Sequence, residues 1–501
     1  LLLGVVTDYA IFFLSGMRRE LAAGKSRLDA ARAATASFAP IVTVAGLTVA
    51  LGTASLLVAE SAFFRAFGPA MALAIMVALV VSVTLVPALL AVFGRKVFWP
   101  SSPRPGSAPT PPARRGRGIA LMTRRPVAVI VVLACFGGLT LAALPLREMR
   151  LGVAFIPSLP ASSESRTAAA AATAGFAPGI LSPTVLLLQD DDLVDRPESL
   201  ARLGDLLKRE PGVAGVVAPG DLLLPSLERS VLLAPSGDAA RYLIVLEDEP
   251  LGAQAILTLQ RVRERLPAML ERTGLTEVEV GFGGDTALAA LLVRSTQADL
   301  GRIAAAALLV NFILLAAFLR ALVAPLYLLA CSVLALGAAL GLLTYLFQDV
   351  LGNDGITFYV PFAAAVLLLS LGSDYNIFGV GHLWGQARGR PLREVIIEAV
   401  PQTTGAIMAA GITLAASFGM LALVPLRPFR ELAFVMAVGI MLDVVVVRSF
   451  LVPTLLALVG RLSGWPGRVL KKLPVRHPTR ARATRPDAPA STTHTSRRPQ
   501  T

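Results

Sequence analysis

The 501 residues are 55% hydrophobic and 16% charged, with a formal net charge of +13 at pH 7. A soluble chain of this length carries about 25% charged residues, so the composition excludes an ordinary soluble protein and makes the lipid bilayer the expected solvent. Cys135 and Cys331 are the only cysteines and both lie in apolar runs, which excludes a disulfide framework and a thiolate metal site.

In chain order, Leu1 to Gly16 is apolar and begins without methionine. At 1.5 Å per residue it covers only about 24 Å of a core about 30 Å thick, so the chain is expected to open partway through a helix, as a fragment would. Inside this run Asp8 is followed by Tyr9. Further runs long enough to span are placed at 39–59, 66–93, 126–146, 300–319, 322–346, 358–380, 402–424 and 431–459. The run at 358–380 holds a second Asp-Tyr pair, Asp374-Tyr375. A carboxylate near the middle of a bilayer costs at least about 2.5 to 3.5 kcal/mol, and two of them argue for use rather than accident.

Loop charge predicts orientation. Residues 95–125 hold eight basic residues and no acidic one, and from Arg461 onward ten basic residues face only Asp487. By the positive-inside rule both segments are cytoplasmic, as are the loop with Arg18, Arg19, Lys25, Arg27 and Arg32 and the loop with Arg388, Arg390 and Arg393. The positive charge thus reads as topology and attraction to anionic lipid at the cytoplasmic face, not as nucleic-acid binding. Residues 99–118, rich in Pro, Ser, Arg and Gly, read as a flexible linker, and 473–501 as a disordered basic tail.

Residues 147–299 differ from the rest, with 21 acidic residues against 14 basic. They read as a soluble domain on the opposite side. The pattern predicts strand 183–189, helix 197–209, strands 213–217 and 242–247, helix 251–272 and strand 277–281, the β-α-β-β-α-β order of a ferredoxin-like unit. Asp190, Asp191 and Asp192 read as a solvated loop rather than a cation site, and Phe176, Met269 and Phe282 as either core or substrate wall. None of the three histidines, His382, His477 and His494, lies in this segment, which argues against a zinc hydrolase or a histidine triad. No nucleophile, base and orienting group converge in sequence, so neither an enzyme nor a cofactor is expected.

The chain also repeats itself. Asp8-Tyr9 matches Asp374-Tyr375 at an offset of 366, Ala45-Gly46-Leu47-Thr48 matches Ala410-Gly411-Ile412-Thr413 at 365, and Val86-Pro87 matches Val452-Pro453 at 366. Two halves running the same way through the membrane, with a site between them, are a transporter architecture. The domains expected are therefore the later part of a first transmembrane repeat (1–94), a basic cytoplasmic linker (95–125), a transmembrane helix (126–146), the soluble domain (147–299), a second repeat of five helices (300–460) and a basic tail (461–501).

The Asp-Tyr helices, the Ala-Gly-(Leu/Ile)-Thr helices, the run Gly439-Ile440-Met441-Leu442-Asp443-Val444-Val445-Val446-Val447-Arg448 and the polar inserted domain together resemble the MMPL family of the RND superfamily over residues 1–465. The resemblance implies an α-helical polytopic membrane protein: an RND-type bundle of two pseudo-repeats, with an inserted α+β ferredoxin-like porter domain outside the cytoplasm. It implies an exporter of lipids or other hydrophobic and amphiphilic molecules, driven by the proton-motive force in the plasma (inner) membrane. Set on the family's twelve-helix plan, the chain would begin in the fourth helix, without the first three helices and the first porter domain. Homo-oligomers and envelope accessory proteins remain open as partners. Two alternatives stay beside it, a SecDF-like translocation accessory and a membrane binding protein resembling sterol-sensing domains.

On this reading Asp8, Tyr9, Asp374 and Tyr375 form the proton relay. Desolvation disfavours a charged carboxylate, so each aspartate could load and release a proton as water reaches it, with the tyrosine hydroxyl as a switchable partner. Thr48 and Thr413 could join the relay, but hydroxyl residues also let helices approach, and that packing reading is favoured. Asp443 and Arg448, five residues apart, read as a structural pair, with Arg448 near enough to the cytoplasmic end to snorkel. Gly46 and Gly411 read as packing glycines.

Overall fold

The computed structural model describes residues 2–100, 113–153, 159, 162–191, 193–221, 231–387 and 390–467. The expected tail at 473–501, most of the expected linker and Asp192 lie outside the described residues.

An apolar segment in lipid must satisfy its own backbone, which makes it helical. Among the described residues, eight helical stretches are long and apolar enough to cross a membrane: 27–58, 64–98, 125–148, 285–319, 323–350, 359–381, 403–423 and 427–464. They correspond one for one to the eight runs read from sequence. Ahead of them helix α1, Leu2–Ala22, continues past Gly16 through Arg18 and Arg19. The first repeat continues with α2, Arg27–Ala54, and α3, Ala62–Phe93. Then follow α4, Ala113–Met122, and α5, Arg125–Ala143. Helix α4 corrects the linker reading, because the chain is helical from Ala113, five residues before the expected end of the flexible stretch.

The inserted domain holds α6, Glu164–Gly175, strand β2, Thr184–Gln189, helix α7, Pro197–Lys208, strands β3, Val213–Val217, and β4, Ala239–Leu246, helix α8, Ala253–Thr273, and strand β5, Glu279–Gly283. The strands form one antiparallel sheet in the order β3-β4-β2-β5. Leu186 and Leu188 alternate inward from β2, with Tyr242, Ile244 and Leu246 from β4, onto Leu203 and Leu207 of α7 and Val262 and Leu266 of α8. That period of two on strands against an apolar stripe on two helices builds the domain core.

The second repeat runs α9, Asp285–Leu319, α10, Val323–Thr344, α11, Tyr359–Gln386, α12, Leu392–Gly419, and α13, Arg427–Met441, which passes through a π-helical segment, Leu442–Leu451, into α14, Val452–Val459. Helix α9 begins fifteen residues before the expected span and joins the inserted domain to the bundle without a break. Hydropathy marks only the hydrocarbon-facing stretch, whereas helical hydrogen bonding carries on through polar residues such as Arg294 and Asp299.

The halves interlock reciprocally. Helix α1 packs against α12 of the second repeat, and α11 packs against α2 of the first. Polar side chains turn inward, with Asp8, Tyr9, Asp374 and Asn376 all buried, while Leu73, Ile130, Leu133, Leu141 and Leu326 face outward and exposed. A large apolar exterior around a polar centre is the arrangement lipid selects.

Candidate functional site

The two Asp-Tyr pairs meet at the bundle centre, and they cross. Tyr9 donates its hydroxyl to Asp374 Oδ2 at 3.3 Å, and Tyr375 donates to Asp8 Oδ1 at 3.1 Å. Each tyrosine thus serves the aspartate of the other repeat. One turn further on, Phe12 and Phe378, also 366 apart, stack face to face with centroids 3.7 Å apart and planes 1° from parallel. The repeat axis therefore runs between the crossed pairs and between these rings. The remaining carboxylate oxygens, Asp8 Oδ2 and Asp374 Oδ1, are buried without a hydrogen-bond partner.

Glycines bring the helices close enough for this meeting. A Cβ on Gly46 would lie 2.7 Å from Leu79 of α3, and one on Gly411 would lie 2.5 Å from Val444 of the π segment. The packing reading of both holds, at matched places in the two halves.

Arg448 departs from the sequence expectation. It does not snorkel but is buried and directed at the bundle centre. Its Nε and Nη2 each lie 3.1 Å from an oxygen of Asp443, a bidentate pair, while Nη1 donates to Asn376 Oδ1 and Nη2 also donates to the carbonyl of Gly372. The π-helix explains the reversal. Residues five apart in an α-helix point about 140° away from each other, whereas i→i+5 bonding brings Asp443 and Arg448 onto one face. Arg448 is thus anchored to the two residues flanking Asp374 by two, Gly372 and Asn376. In the first repeat the matching position is Ser82, also buried, whose hydroxyl oxygen has no hydrogen-bond partner.

Thr48 and Thr413 do not reach the carboxylates. Each hydroxyl donates to the carbonyl four residues back, Val44 at 2.8 Å and Ala409 at 2.9 Å, the local alternative open to a helical threonine. In the inserted domain Asp190 pairs with Arg196 at 2.9 Å and Asp191 is exposed. Met269 belongs to the core, Phe282 lies under Arg263 with the guanidinium carbon 4.9 Å from the ring centre, and Phe176 is exposed.

Sequence reasoning missed the polar joint between domain and bundle. Strand β1, Leu151–Gly152, pairs in parallel with β6, Ile356–Thr357, just before α11. Gln348 accepts from the Arg150 amide at 2.8 Å and donates to the Glu148 carbonyl at 3.1 Å. Asp354 accepts from the Gln254 amide at the start of α8. Glu431 accepts from the Thr357 amide at 2.9 Å and pairs with Arg427 at 2.8 Å. Asp299 caps the entry to α3 through the amides of Glu60 and Ser61 at 2.8 and 2.9 Å. Burial, and then the neighbouring Asp354, push the carboxyl of Glu249 above its ordinary range, with Arg427 opposing. The only sequence signal for this joint is a set of acidic residues at the ends of apolar runs.

A polytopic helical bundle of two interlocked repeats, with four reciprocal buried polar groups on its axis and one α+β insertion, defines a multi-pass membrane protein. Residues 1–129 and 157–500 match the profile of the MMPL family, and the chain belongs to that family. It is 31% identical over 474 residues to a membrane protein of Streptomyces coelicolor, covering 93% of this chain and 54% of that one. It is 26% identical over 489 residues to the apo-petrobactin exporter of Bacillus anthracis, covering 94% and 63% respectively. It is 30% identical over 261 residues to the acyltrehalose exporter MmpL10 of Mycobacterium tuberculosis, covering 52% and 26%. The chain spans 54% of the length of the first of these relatives and 63% of the second.

Proposed function

We propose that this protein is a membrane transporter that uses the proton-motive force to export lipids or other amphiphilic molecules, with Asp8, Tyr9, Asp374 and Tyr375 as its proton-loading site. The observation that carries the reading is the crossed pairing of the two Asp-Tyr units. Each carboxyl has one oxygen held by the opposite tyrosine and one without a partner, so a proton can sit on the free oxygen. Loading either carboxyl alters the bond that ties it to the other repeat. Two such carboxyls titrate as a pair, so the macroscopic steps belong to both. Each charge crossing the membrane supplies about 2.3 kcal/mol per 100 mV, enough to bias a shift of α1 and α11 against each other.

That shift has a route outward. Helix α11 is joined to the inserted domain through β1–β6, which Glu431 ties in turn to α13, and α9 enters the domain as one helix. The order β3-β4-β2-β5, antiparallel throughout with two helices on one face, supports a ferredoxin-like porter unit that moves as a rigid body. The basic loops support a position of that unit outside the cytoplasm. The names of two relatives, an apo-petrobactin exporter and an acyltrehalose exporter, support the transport class. Asp374→Asn is expected to abolish export of an amphiphilic fluorescent dye from cells while the protein level in the membrane stays unchanged. Full export by that variant overturns the relay.

A further inference from the structure

The two repeats are nearly symmetric at the quartet but not beside it. Next to Tyr375 lies a cavity of about 30 Å³, lined among others by Gly379, Leu383, Thr403, Thr404, Arg448 and Leu456. One water needs roughly 10–15 Å³ and two or more polar partners, and here the threonine hydroxyls, Tyr375 and Arg448 offer them. A Cβ on Gly379 would meet only Ile407 Cδ1, at 3.6 Å, so the absent side chain leaves the space. The cavity follows α11 from Tyr375 to Leu383, eight residues or about 12 Å, toward the side of the bilayer where α11 ends and α12 begins, the 387–391 side.

The matched path in the first repeat is filled. Phe13 stands where Gly379 does and is fully buried. Phe38 stands where Thr403 does, and the two rings meet edge to face with centroids 6.5 Å apart. Gly16 closes on Phe38 so tightly that a Cβ there would lie 2.5 Å from its Cε2. Ala39 takes the place of Thr404, and Ser82 that of Arg448.

We infer that water and protons reach the quartet from the 387–391 side through the second repeat alone, by way of Thr403 and Thr404, while Phe13 and Phe38 seal the first repeat. This rests on the proton-loading reading of the quartet. The asymmetry makes Tyr375–Asp8 the pair that meets water from that side, and leaves Tyr9–Asp374 dry on it. A symmetric quartet thereby acquires a direction.

The test is thiol accessibility in the full chain, with Cys135→Ala and Cys331→Ala as background, in sealed vesicles of either orientation. A charged, membrane-impermeant methanethiosulfonate attacks only a thiol that water can ionise. Thr404→Cys is expected to react at least about tenfold faster than the matched Ala39→Cys when reagent is on the 387–391 side, since only the former has a hydrated path. Adding Gly379→Leu, which refills the cavity, should return Thr404→Cys to the slow rate. Equal rates at the two positions, faster reaction from the opposite face, or no effect of Gly379→Leu overturns the inference. Labelling needs no transport, so its failure is separate from that of the relay reading, which is judged by export in Asp374→Asn.

Discussion

Replacing Arg448 with Met removes a guanidinium that is buried and bonded to Asp443, Asn376 and the Gly372 carbonyl. The methionine fills similar volume, so the loss is mainly electrostatic. It strands the Asp443 carboxylate, which is buried and whose two oxygens both face Arg448. Breaking a buried pair by removing one partner costs about 3–5 kcal/mol. Replacing both partners by apolar groups of similar volume is often near neutral, so Arg448→Met with Asp443→Leu should recover most of the loss, a coupling of at least about 2 kcal/mol. Denaturant unfolding in detergent micelles, followed for wild type, both single variants and the double variant, measures this cycle. A single-variant loss below about 1 kcal/mol, the range of an exposed pair, refutes the inward placement of Arg448. A double variant no better than Arg448→Met refutes the pairing.

Four further outcomes follow from the same contacts. Tyr9→Phe and Tyr375→Phe each delete one crossed bond, so each should slow dye export, and the pair together should do no worse than Asp374→Asn; unchanged export in the double variant would sink the crossed relay. Thr48→Val and Thr413→Val remove only bonds to the carbonyl four residues back, so export should stay within about twofold of wild type. Gly411→Ala drives a Cβ into Val444, an overpacking loss of about 1–3 kcal/mol, whereas Gly405→Ala, with open space around it, should gain up to about 1 kcal/mol from helix propensity; melting temperatures in detergent separate the two. Because the folded protein holds the Glu249 proton more tightly than the unfolded chain, stability falls as pH rises from the ordinary carboxylate range through the raised folded value. Glu249→Gln should flatten that slope in melting temperatures taken across acid pH, and an unchanged slope would show that Glu249 is not its source.

Hydrophobic runs, loop charge and an internal offset of 365–366 residues are local or periodic quantities, and they sufficed to locate the eight spans, the inserted α+β segment, the paired halves and the two Asp-Tyr units. Strand and helix positions in the insertion were legible for the same reason, because Leu186, Leu188 and Tyr242 obey a period of two and Leu203 and Leu207 a helical one. The crossing of the pairs was not legible. Nothing in Asp8-Tyr9 alone indicates that Tyr9 bonds Asp374 rather than Asp8, since that choice follows from how α1 and α11 face each other across the axis. Arg448 was misplaced because reading by a 3.6-residue period assumes an α-helix, and the π segment at Leu442–Leu451 rotates that side chain to the interior. The start of α9 was misplaced because hydropathy registers solvent and not backbone hydrogen bonding. What the sequence by itself determined is which residues lie in lipid and which repeat; which of them touch was decided by tertiary packing, because close contact between residues 366 apart depends on interhelical geometry that no local pattern encodes.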